Sequence, residues 1–395
     1  MRVLLTNGHR NAGLSIMRHL GAMGHRLIAA DTRALAFGLR SRYAEAFGWL
    51  PEPSAPEYAD RLLALIRQVR PDVLMPLGGL VAVSERLEEF ERETPVLAAA
   101  ADAYESLQDK RKVYDLCEQL GIAYPRVLGT DPETLIACWP KANGDLPLAV
   151  IKPRKDKGAG RGLVFLHDRE GLTELWQKLT EQHGQLVATE FIPGPVDAQY
   201  AVQLLFDRNS ELVEFFVLRK LRQWPTDSGI TVEATSSHEL ELVSQVLPLF
   251  RQLGWRGPVE VELKRDVRTG RVCVLEINPR FSGTVAFPLS AGVDLAGSML
   301  EASLGRSTPR ALRPYYAAGL HYWNPFPYCR SVFSDLCRMS RMTQGLRGLA
   351  MPLIQRPVGN PYVLSDPAAL LGKVLWQAGD ALRRGRAGPA HRFEH

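Results

Sequence analysis

The chain has 395 residues, of which 46% are hydrophobic and 23% charged, and its formal net charge is +5. These are ordinary values for globular proteins, so they exclude a disordered chain, and the length predicts two or three domains. No apolar run is long enough to span a bilayer, residues 1–6 predict a strand rather than a signal peptide, and the five cysteines form no Cys-x-x-Cys pair, so we expect a cytoplasmic protein with reduced thiols.

Residues 1–105 predict an α/β domain that begins with a strand–helix–strand unit. Strands are expected at residues 2–6, 26–31 and 72–76, with a helix between the first two and another at 57–69. The first turn lacks the G-x-G-x-x-G spacing, so dinucleotide binding is not expected. Open parallel sheets bind ligands beyond the carboxyl ends of their strands. This rule makes the residues after the first strand candidates for substrate binding: Asn7, Gly8, His9 and Arg10.

A helix and a basic, glycine-rich hairpin follow. Residues 109–121 predict a helix closed by glycine, with Lys110 in its first turn. Residues 148–165 predict two short strands, with Lys152 at the end of the first, and glycines in the loop between them allow backbone N–H groups to approach phosphate oxygens. A mobile hairpin without a ligand is the alternative, since no P-loop motif occurs. The loop candidates are Lys157, Gly158, Gly160 and Gly162.

Three more strands lead to a second basic segment. Residues 186–194 predict a strand that stops at a Pro-Gly turn, and residues 199–206 and 212–218 predict two further strands. The next segment begins with Arg219 and Lys220, whose charges suit a phosphate or a substrate carboxylate. Exposed cations at a strand edge are an equally supported interpretation.

The most informative segment is an acidic hairpin at residues 259–280. Side chains two apart on a strand share a face, so Glu260 aligns with Glu262, and Glu276 aligns with Asn278. A turn at residues 266–270 would bring the two strands together. Carboxylate and amide oxygens are ligands that Mg²⁺ prefers, and Arg280 would add a phosphate contact. A surface hairpin with solvated charges is the alternative.

The segment Glu-Ile-Asn-Pro-Arg-Phe-Ser-Gly, residues 276–283, resembles the metal and phosphate signature of the ATP-grasp ligases. The basic helix at 109–121, the Lys-Pro and glycine loop, and the strand at 186–194 are similar to that superfamily's other motifs in order and spacing. The resemblance implies a mixed α/β and α+β architecture, the ATP-grasp fold. Its parts would be a Rossmann-like domain at residues 1–105, a subdomain with a mobile lid at 106–190, a catalytic subdomain at 191–305 and a basic extension at 306–395.

The resemblance also implies roles for particular residues. Lys110, Lys152 and the glycine loop would contact the phosphates of ATP, while Glu190, Phe191 and Ile192 would meet the adenine. Asp197 would hold the ribose, although a second alignment places Gln199 there. Mg²⁺, or Mn²⁺ in its place, would bind Glu262, Glu276 and Asn278. The implied catalytic residues are Arg280, Lys220 and Arg219, and Ser282 and Gly283 would join the residues after the first strand at the substrate.

The function implied by the resemblance is an ATP-dependent ligase that joins a small-molecule carboxylate to an amine through an acyl phosphate. The alternatives are an enzyme that stops at the phosphorylated intermediate and a non-catalytic nucleotide-binding protein. Residues 306–395 hold thirteen Lys or Arg against four Asp or Glu. This excess predicts either a solvated arginine-rich surface or contact with an anionic partner. A homodimer is also compatible with the chain.

Overall fold

The computed structural model describes residues 1–372 except residues 10, 33–36, 141–145, 156–160, 227, 356, 359–365 and 370. Its strands form three sheets, each with helices packed against it. Among the described helices, none is both long and apolar enough to cross a membrane.

The first sheet is parallel and has the strand order β3-β2-β1-β4. Its central strands have almost uninterrupted buried residues because helices cover both faces. The predicted strand–helix–strand unit is confirmed, whereas the edge strand β3 was not predicted. The elements are β1 (Arg2–Thr6), α1 (Asn11–Ala22), β2 (Arg26–Asp31), β3 (Ala44–Trp49), α2 (Tyr58–Val69), β4 (Val73–Met75), α3 (Leu80–Glu85), α4 (Leu87–Glu93) and α5 (Ala101–Gln108).

The second sheet is antiparallel, with the order β5-β8-β6-β7. It follows a helix whose N-cap is Asp109, a carboxylate that accepts a hydrogen bond from the backbone N–H of Arg111. The elements are α6 (Lys110–Gln119), β5 (Val127–Gly129), α7 (Pro132–Ala137), β6 (Ala149–Pro153), β7 (Val164–Leu166), α8 (Leu172–His183) and β8 (Leu186–Glu190).

The third sheet is antiparallel and has the order β13-β12-β9-β10-β11-β14. The hairpin predicted at residues 259–280 is confirmed as β12 and β13. Among the described residues beyond 305, one strand joins this sheet at its edge and two helices pack against it. The elements are β9 (Gln199–Phe206), β10 (Leu212–Trp224), β11 (Ile230–Ser237), α9 (Leu240–Gln252), β12 (Gly257–Arg265), β13 (Val272–Asn278), α10 (Ala286–Ser290), α11 (Leu295–Ser303), β14 (His321–Trp323), α12 (Pro325–Leu336) and α13 (Met342–Ile354).

Candidate active site

A cleft of about 1240 Å³ opens between the second and third sheets. One wall comes from β6, β7 and β8, and the floor comes from one face of the third sheet. Most of the predicted site residues line it. Those are Lys110, Lys152, Gly162, Glu190, Phe191, Ile192, Lys220, Glu262, Glu276, Asn278, Arg280, Ser282 and Gly283.

The acidic residues of the hairpin lie side by side. In the register of β12 with β13, Glu262 is paired with Glu276 and Glu260 with Asn278. Paired residues of an antiparallel ladder share a face, so all four side chains point to the floor of the cleft. The strand spacing predicted two aligned pairs, and the structure combines them into one patch of oxygen atoms.

Each of the two central carboxylates has a lysine partner. Lys110 Nζ donates to Glu276 Oε1 at 3.1 Å, and Lys220 Nζ donates to Glu262 Oε2 at 2.9 Å. The Lys220 side chain is only 4% exposed. A buried charge is costly unless it is paired, so these ion pairs offset the cost of placing charged side chains in the cleft.

Glu260, which the strand spacing aligned with Glu262 but which was not among the predicted metal ligands, is buried in the site. The Ser282 hydroxyl donates to Glu260 Oε1, and Asn278 Nδ2 donates to Oε2 at 3.4 Å. Burial, with the nearby charge of Glu262 second, raises the pKa of Glu260 to about 7. Arg280 Nη2 donates to Asn278 Oδ1 at 3.0 Å and therefore orients the amide of that predicted metal ligand.

Two further lysines face the cleft with depressed pKa values. Lys152 Nζ donates to the Tyr114 hydroxyl at 2.6 Å, and burial, followed by the charge of Lys110, lowers the pKa of Lys152 to about 7. Burial likewise lowers the pKa of Lys264 to about 8. Lys264 Nζ lies 5.1 Å from the centre of the Phe191 ring, a cation–π contact. Lys264 was not among the predicted site residues, although it continues the face of Glu260 and Glu262 on β12.

The predicted adenine segment lies at the end of β8. Glu190 Oε1 accepts a hydrogen bond from the backbone N–H of Arg126 at 3.0 Å. This carboxylate is therefore already bound to the backbone of the residue that precedes β5. Of the two ribose candidates, Gln199 lines the cleft, with its Oε1 3.4 Å from Lys220 Nζ. Asp197 is exposed in a 3-10 turn and is not among the lining residues. The structure therefore favours Gln199.

Other predicted residues lie elsewhere or outside the described part of the chain. Arg219 lies on the opposite face of β10 from Lys220, because successive strand residues alternate, and it does not line the cleft. Arg10, Lys157, Gly158 and Gly160 lie outside the described residues.

Three predicted substrate residues follow β1 and do not line the cleft: Asn7, Gly8 and His9. His9 Nδ1 lies 2.9 Å from Asp31 Oδ1, and a Cβ on Gly78 would lie 2.2 Å from the Asn7 side chain, so this turn is closely packed.

Two lining residues come from a distant part of the sequence, Tyr322 and Asn324. Asn324 follows β14, and its Oδ1 is buried without a hydrogen-bond partner among the described residues. No motif indicates this residue, because its place in the cleft depends on the pairing of β14 with β11.

The oxygen patch fits a hard divalent cation. Within the described parts of the chain, no cluster of three His, Cys, Asp or Glu side chains has the arrangement of a metal centre. The patch instead offers two carboxylates and an amide, from Glu262, Glu276 and Asn278. Mg²⁺ commonly binds one or two carboxylates and takes its other ligands from water and substrate phosphates, so a small protein ligand set suits it.

Comparison with known proteins identifies the fold. Residues 183–322 match the family model described as ATP-grasp in the biosynthetic pathway with Ter operon. The chain is 24% identical over 269 residues to the C-terminal section of the carbamoyl phosphate synthase large chain of Methanopyrus kandleri, covering 65% of this chain and 48% of that one. It is also 24% identical over 243 residues to the arginine-specific large chain of carbamoyl phosphate synthase from Geobacillus stearothermophilus, covering 60% of this chain and 22% of that one. The chain thus spans about half or less of these relatives.

Solved structures agree. N5-carboxyaminoimidazole synthetase from Staphylococcus aureus, complexed with ADP, superimposes with a TM-score of 0.63 at 16% identity, covering 87% of this chain and 85% of that one. The biotin carboxylase domain of Hydrogenobacter thermophilus 2-oxoglutarate carboxylase, in complex with MgADP and bicarbonate, gives 0.62 at 17% identity, covering 78% and 71%. L-amino acid ligase from Bacillus licheniformis gives 0.57 at 19%, covering 78% and 75%. The chain has the ATP-grasp fold, and the fold class and the resemblance inferred from its motifs are confirmed.

Proposed function

We propose that this chain is an ATP-dependent ligase that joins a carboxylate to an amine through an acyl phosphate and releases ADP and phosphate. The observation that carries the proposal is the floor of the cleft, where Glu262 and Glu276 lie opposite each other with a lysine on each. The ADP-bound and MgADP-bound structures of similar fold support a nucleotide in this cleft.

The charges of the cleft suit a triphosphate. Six Lys or Arg side chains line it, against the four carboxylates of Glu190, Glu260, Glu262 and Glu276: Lys110, Lys152, Arg161, Lys220, Lys264 and Arg280. This positive excess would hold the phosphates next to an anionic carboxylate substrate that would otherwise be repelled. In a site shielded from water, such fixed charges stabilise the transferring phosphoryl group more strongly than they would in bulk solvent.

Glu262, Glu276 and Asn278 would hold Mg²⁺, or Mn²⁺ in its place. The bound cation would supply charge neutralisation to the terminal phosphates. Arg280 would keep the Asn278 amide oriented, through the 3.0 Å hydrogen bond to its Oδ1.

The proposed reaction has two steps. A carboxylate oxygen of the substrate attacks the γ-phosphorus of ATP, the bond to the β,γ-bridging oxygen breaks, and ADP leaves. The amine then attacks the acyl carbon, phosphate leaves with the oxygen of the broken carbon–oxygen bond, and the nitrogen loses a proton. The protein residues position the reactants and neutralise charge, and no enzyme nucleophile takes part.

ADP release tests the proposal. A panel of amino acids and small carboxylates is supplied pairwise with ATP and Mg²⁺, and release is expected only when both a carboxylate and an amine are present. Hydroxylamine in place of the amine should trap the acyl phosphate as a hydroxamate. Glu276→Gln should lower turnover by at least about a hundredfold, the range found when an electrostatic contact to the transition state is lost. The exposed Glu52→Gln is the matched control.

Two other outcomes would replace the proposal. ADP release with a carboxylate or bicarbonate alone, unchanged by any amine, would identify an enzyme that stops at the acyl phosphate. The bicarbonate-bound biotin carboxylase domain makes this the second candidate. Nucleotide binding without turnover for any pair, and without any effect of Glu276→Gln, would identify a binding protein. A homodimer and an anionic partner stay predictions, and light scattering measures the first directly.

A further inference from the structure

Helices α12 and α13 form a tightly packed antiparallel hairpin. The Tyr328 hydroxyl of α12 donates to the Gly348 carbonyl at 2.7 Å, and a Cβ on Gly348 would lie 2.7 Å from Val332. A Cβ on Gly345 would lie 2.7 Å from Leu336, so the contacts run in opposite directions along the two helices. The inner faces of the hairpin are therefore fixed against each other and against β11.

The outer face of the hairpin is apolar and exposed. Phe326 and Phe333 are seven residues apart on α12, and Met342, Leu346 and Leu349 follow the same i, i+4, i+7 spacing on α13, so each set forms one stripe. These side chains and Ile354 are between 43% and 71% exposed. Large apolar side chains gathered on one exposed surface indicate an interaction site.

The exposed charges of the two helices and of the turn between them have one sign. Arg330, Arg338 and Arg347 are exposed and form no ion pair with any residue that the structure describes. The one acidic residue of 325–354, Asp335, is buried and paired with Arg222. The exposed surface of the hairpin thus carries apolar side chains and arginines, and residues 325–354 supply no exposed carboxylate.

We propose that the outer face of the α12–α13 hairpin docks the protein on an anionic lipid surface. The phenylalanine and leucine side chains would enter the boundary between headgroups and acyl chains, and the arginines would extend to lipid phosphates. Apolar burial and attraction to anionic lipid add together, which is the general requirement for an interfacial helix. This proposal does not depend on the reaction carried out in the cleft.

The same charges disfavour the other occupants of this face. A second copy related by a two-fold axis would place arginines against arginines, because such an interface pairs a patch with itself. Residues 373–395 of the chain carry five Lys or Arg and two Asp or Glu, so they are also basic. Nucleic acids bind basic patches through phosphates and need no apolar stripe.

Vesicle co-sedimentation of the full chain tests the proposal. Vesicles of phosphatidylcholine alone are compared with vesicles of equal parts phosphatidylcholine and phosphatidylglycerol, at low and high salt. We expect binding to the mixed vesicles and little to phosphatidylcholine. Arg330→Gln with Arg347→Gln should weaken binding about 25-fold, since each arginine near an anionic surface contributes about fivefold. Phe333→Ser with Leu349→Ser should weaken it by at least about tenfold.

Control pairs make the test specific. Arg61→Gln with Arg251→Gln removes two exposed arginines, and Phe47→Ser with Met23→Ser removes two exposed apolar side chains, all away from the hairpin. The controls should bind as the unchanged chain does, and circular dichroism confirms that all variants fold. Equal loss in the controls, or no binding to mixed vesicles, overturns the proposal. Without vesicle binding, a dimer abolished by Phe333→Ser would identify a second copy, and binding to polyglutamate would identify an acidic protein partner.

Discussion

Replacing Lys152 by methionine should stabilise the fold and weaken nucleotide binding at the same time. The residue is 8% exposed, and burial, with the charge of Lys110 second, lowers its pKa from 10.5 to about 7. A change of this size corresponds to a penalty of about 4–5 kcal/mol on the charged form. Loss of the hydrogen bond to Tyr114 offsets about 1 kcal/mol of this. We therefore expect Lys152→Met to raise the free energy of unfolding by roughly 3 kcal/mol near neutral pH.

The pH dependence of this gain has a definite sign. Between about pH 7 and 10.5 the unfolded chain keeps a proton on Lys152 that the folded chain has lost, so wild-type stability rises with pH across this window. The methionine variant lacks that rise. Its advantage should therefore be largest below about pH 7 and decline as the pH approaches 10.5, which urea unfolding at several pH values measures.

Lys152→Met should weaken ATP binding while it stabilises the fold. A charge-assisted contact between Lys152 and a phosphate contributes about 1.5–3 kcal/mol, so Lys152→Met should weaken ATP binding about 10- to 100-fold in calorimetry. The exposed Lys112→Met is the control and should change neither quantity. A variant that is less stable than the wild type, or that binds ATP normally, would refute the reasoning that this ammonium is buried for the sake of the phosphates.

Two further predictions concern single residues of the cleft. Gln199→Ala should weaken ADP binding about fivefold in calorimetry while Asp197→Ala leaves it unchanged, because only Gln199 lines the cleft, and the reverse result would restore Asp197 as the ribose ligand. Burial raises the pKa of Glu260 from 4.5 to about 7, so between these pH values the folded chain keeps a proton on Glu260 that the unfolded chain has lost. The free energy of unfolding of the wild type therefore falls as the pH rises from 4.5 to about 7. In Glu260→Gln the decrease of the free energy of unfolding over this pH range, measured by urea unfolding, should be smaller by about 3 kcal/mol. An unchanged pH profile would show that Glu260 is not the titrating group.

The sequence sufficed for the parts of the site that depend on short-range geometry. The hairpin was predictable because the two-residue period of a strand and a turn of a few residues determine which side chains meet. Its partners Lys110 and Lys220 were also identified, as basic residues next to predicted element ends. The fold class followed from the same local motifs, since their order along the chain is that of one superfamily.

Residues whose position depends on long-range packing were predicted less well. Arg219 and Lys220 are adjacent in sequence, and which of the two faces the cleft depends on the phase of β10 relative to its neighbours. Asp197 suits ribose chemically, but the turn before β9 leaves it exposed. Lys264 was identifiable from the same two-residue spacing that aligns Glu260 with Glu262, whereas Asn324 reaches the cleft only through the pairing of β14 with β11. A pattern of residue types contains no information about that pairing.

The ion pairs of the cleft suggest how it accepts so much charge on binding. In the free protein the carboxylates of Glu262 and Glu276 are each neutralised by a lysine, so neither is a bare buried charge. On the proposed function, Glu262 and Glu276 would exchange their lysine partners for a divalent cation, and Lys110 and Lys220 would exchange the carboxylates for phosphate oxygens. Each group keeps a partner of opposite charge throughout, so little new desolvation is required. Loss of one lysine would therefore weaken the binding of both the metal and the nucleotide, because one carboxylate in the free protein and one phosphate in the complex would lack a cationic partner.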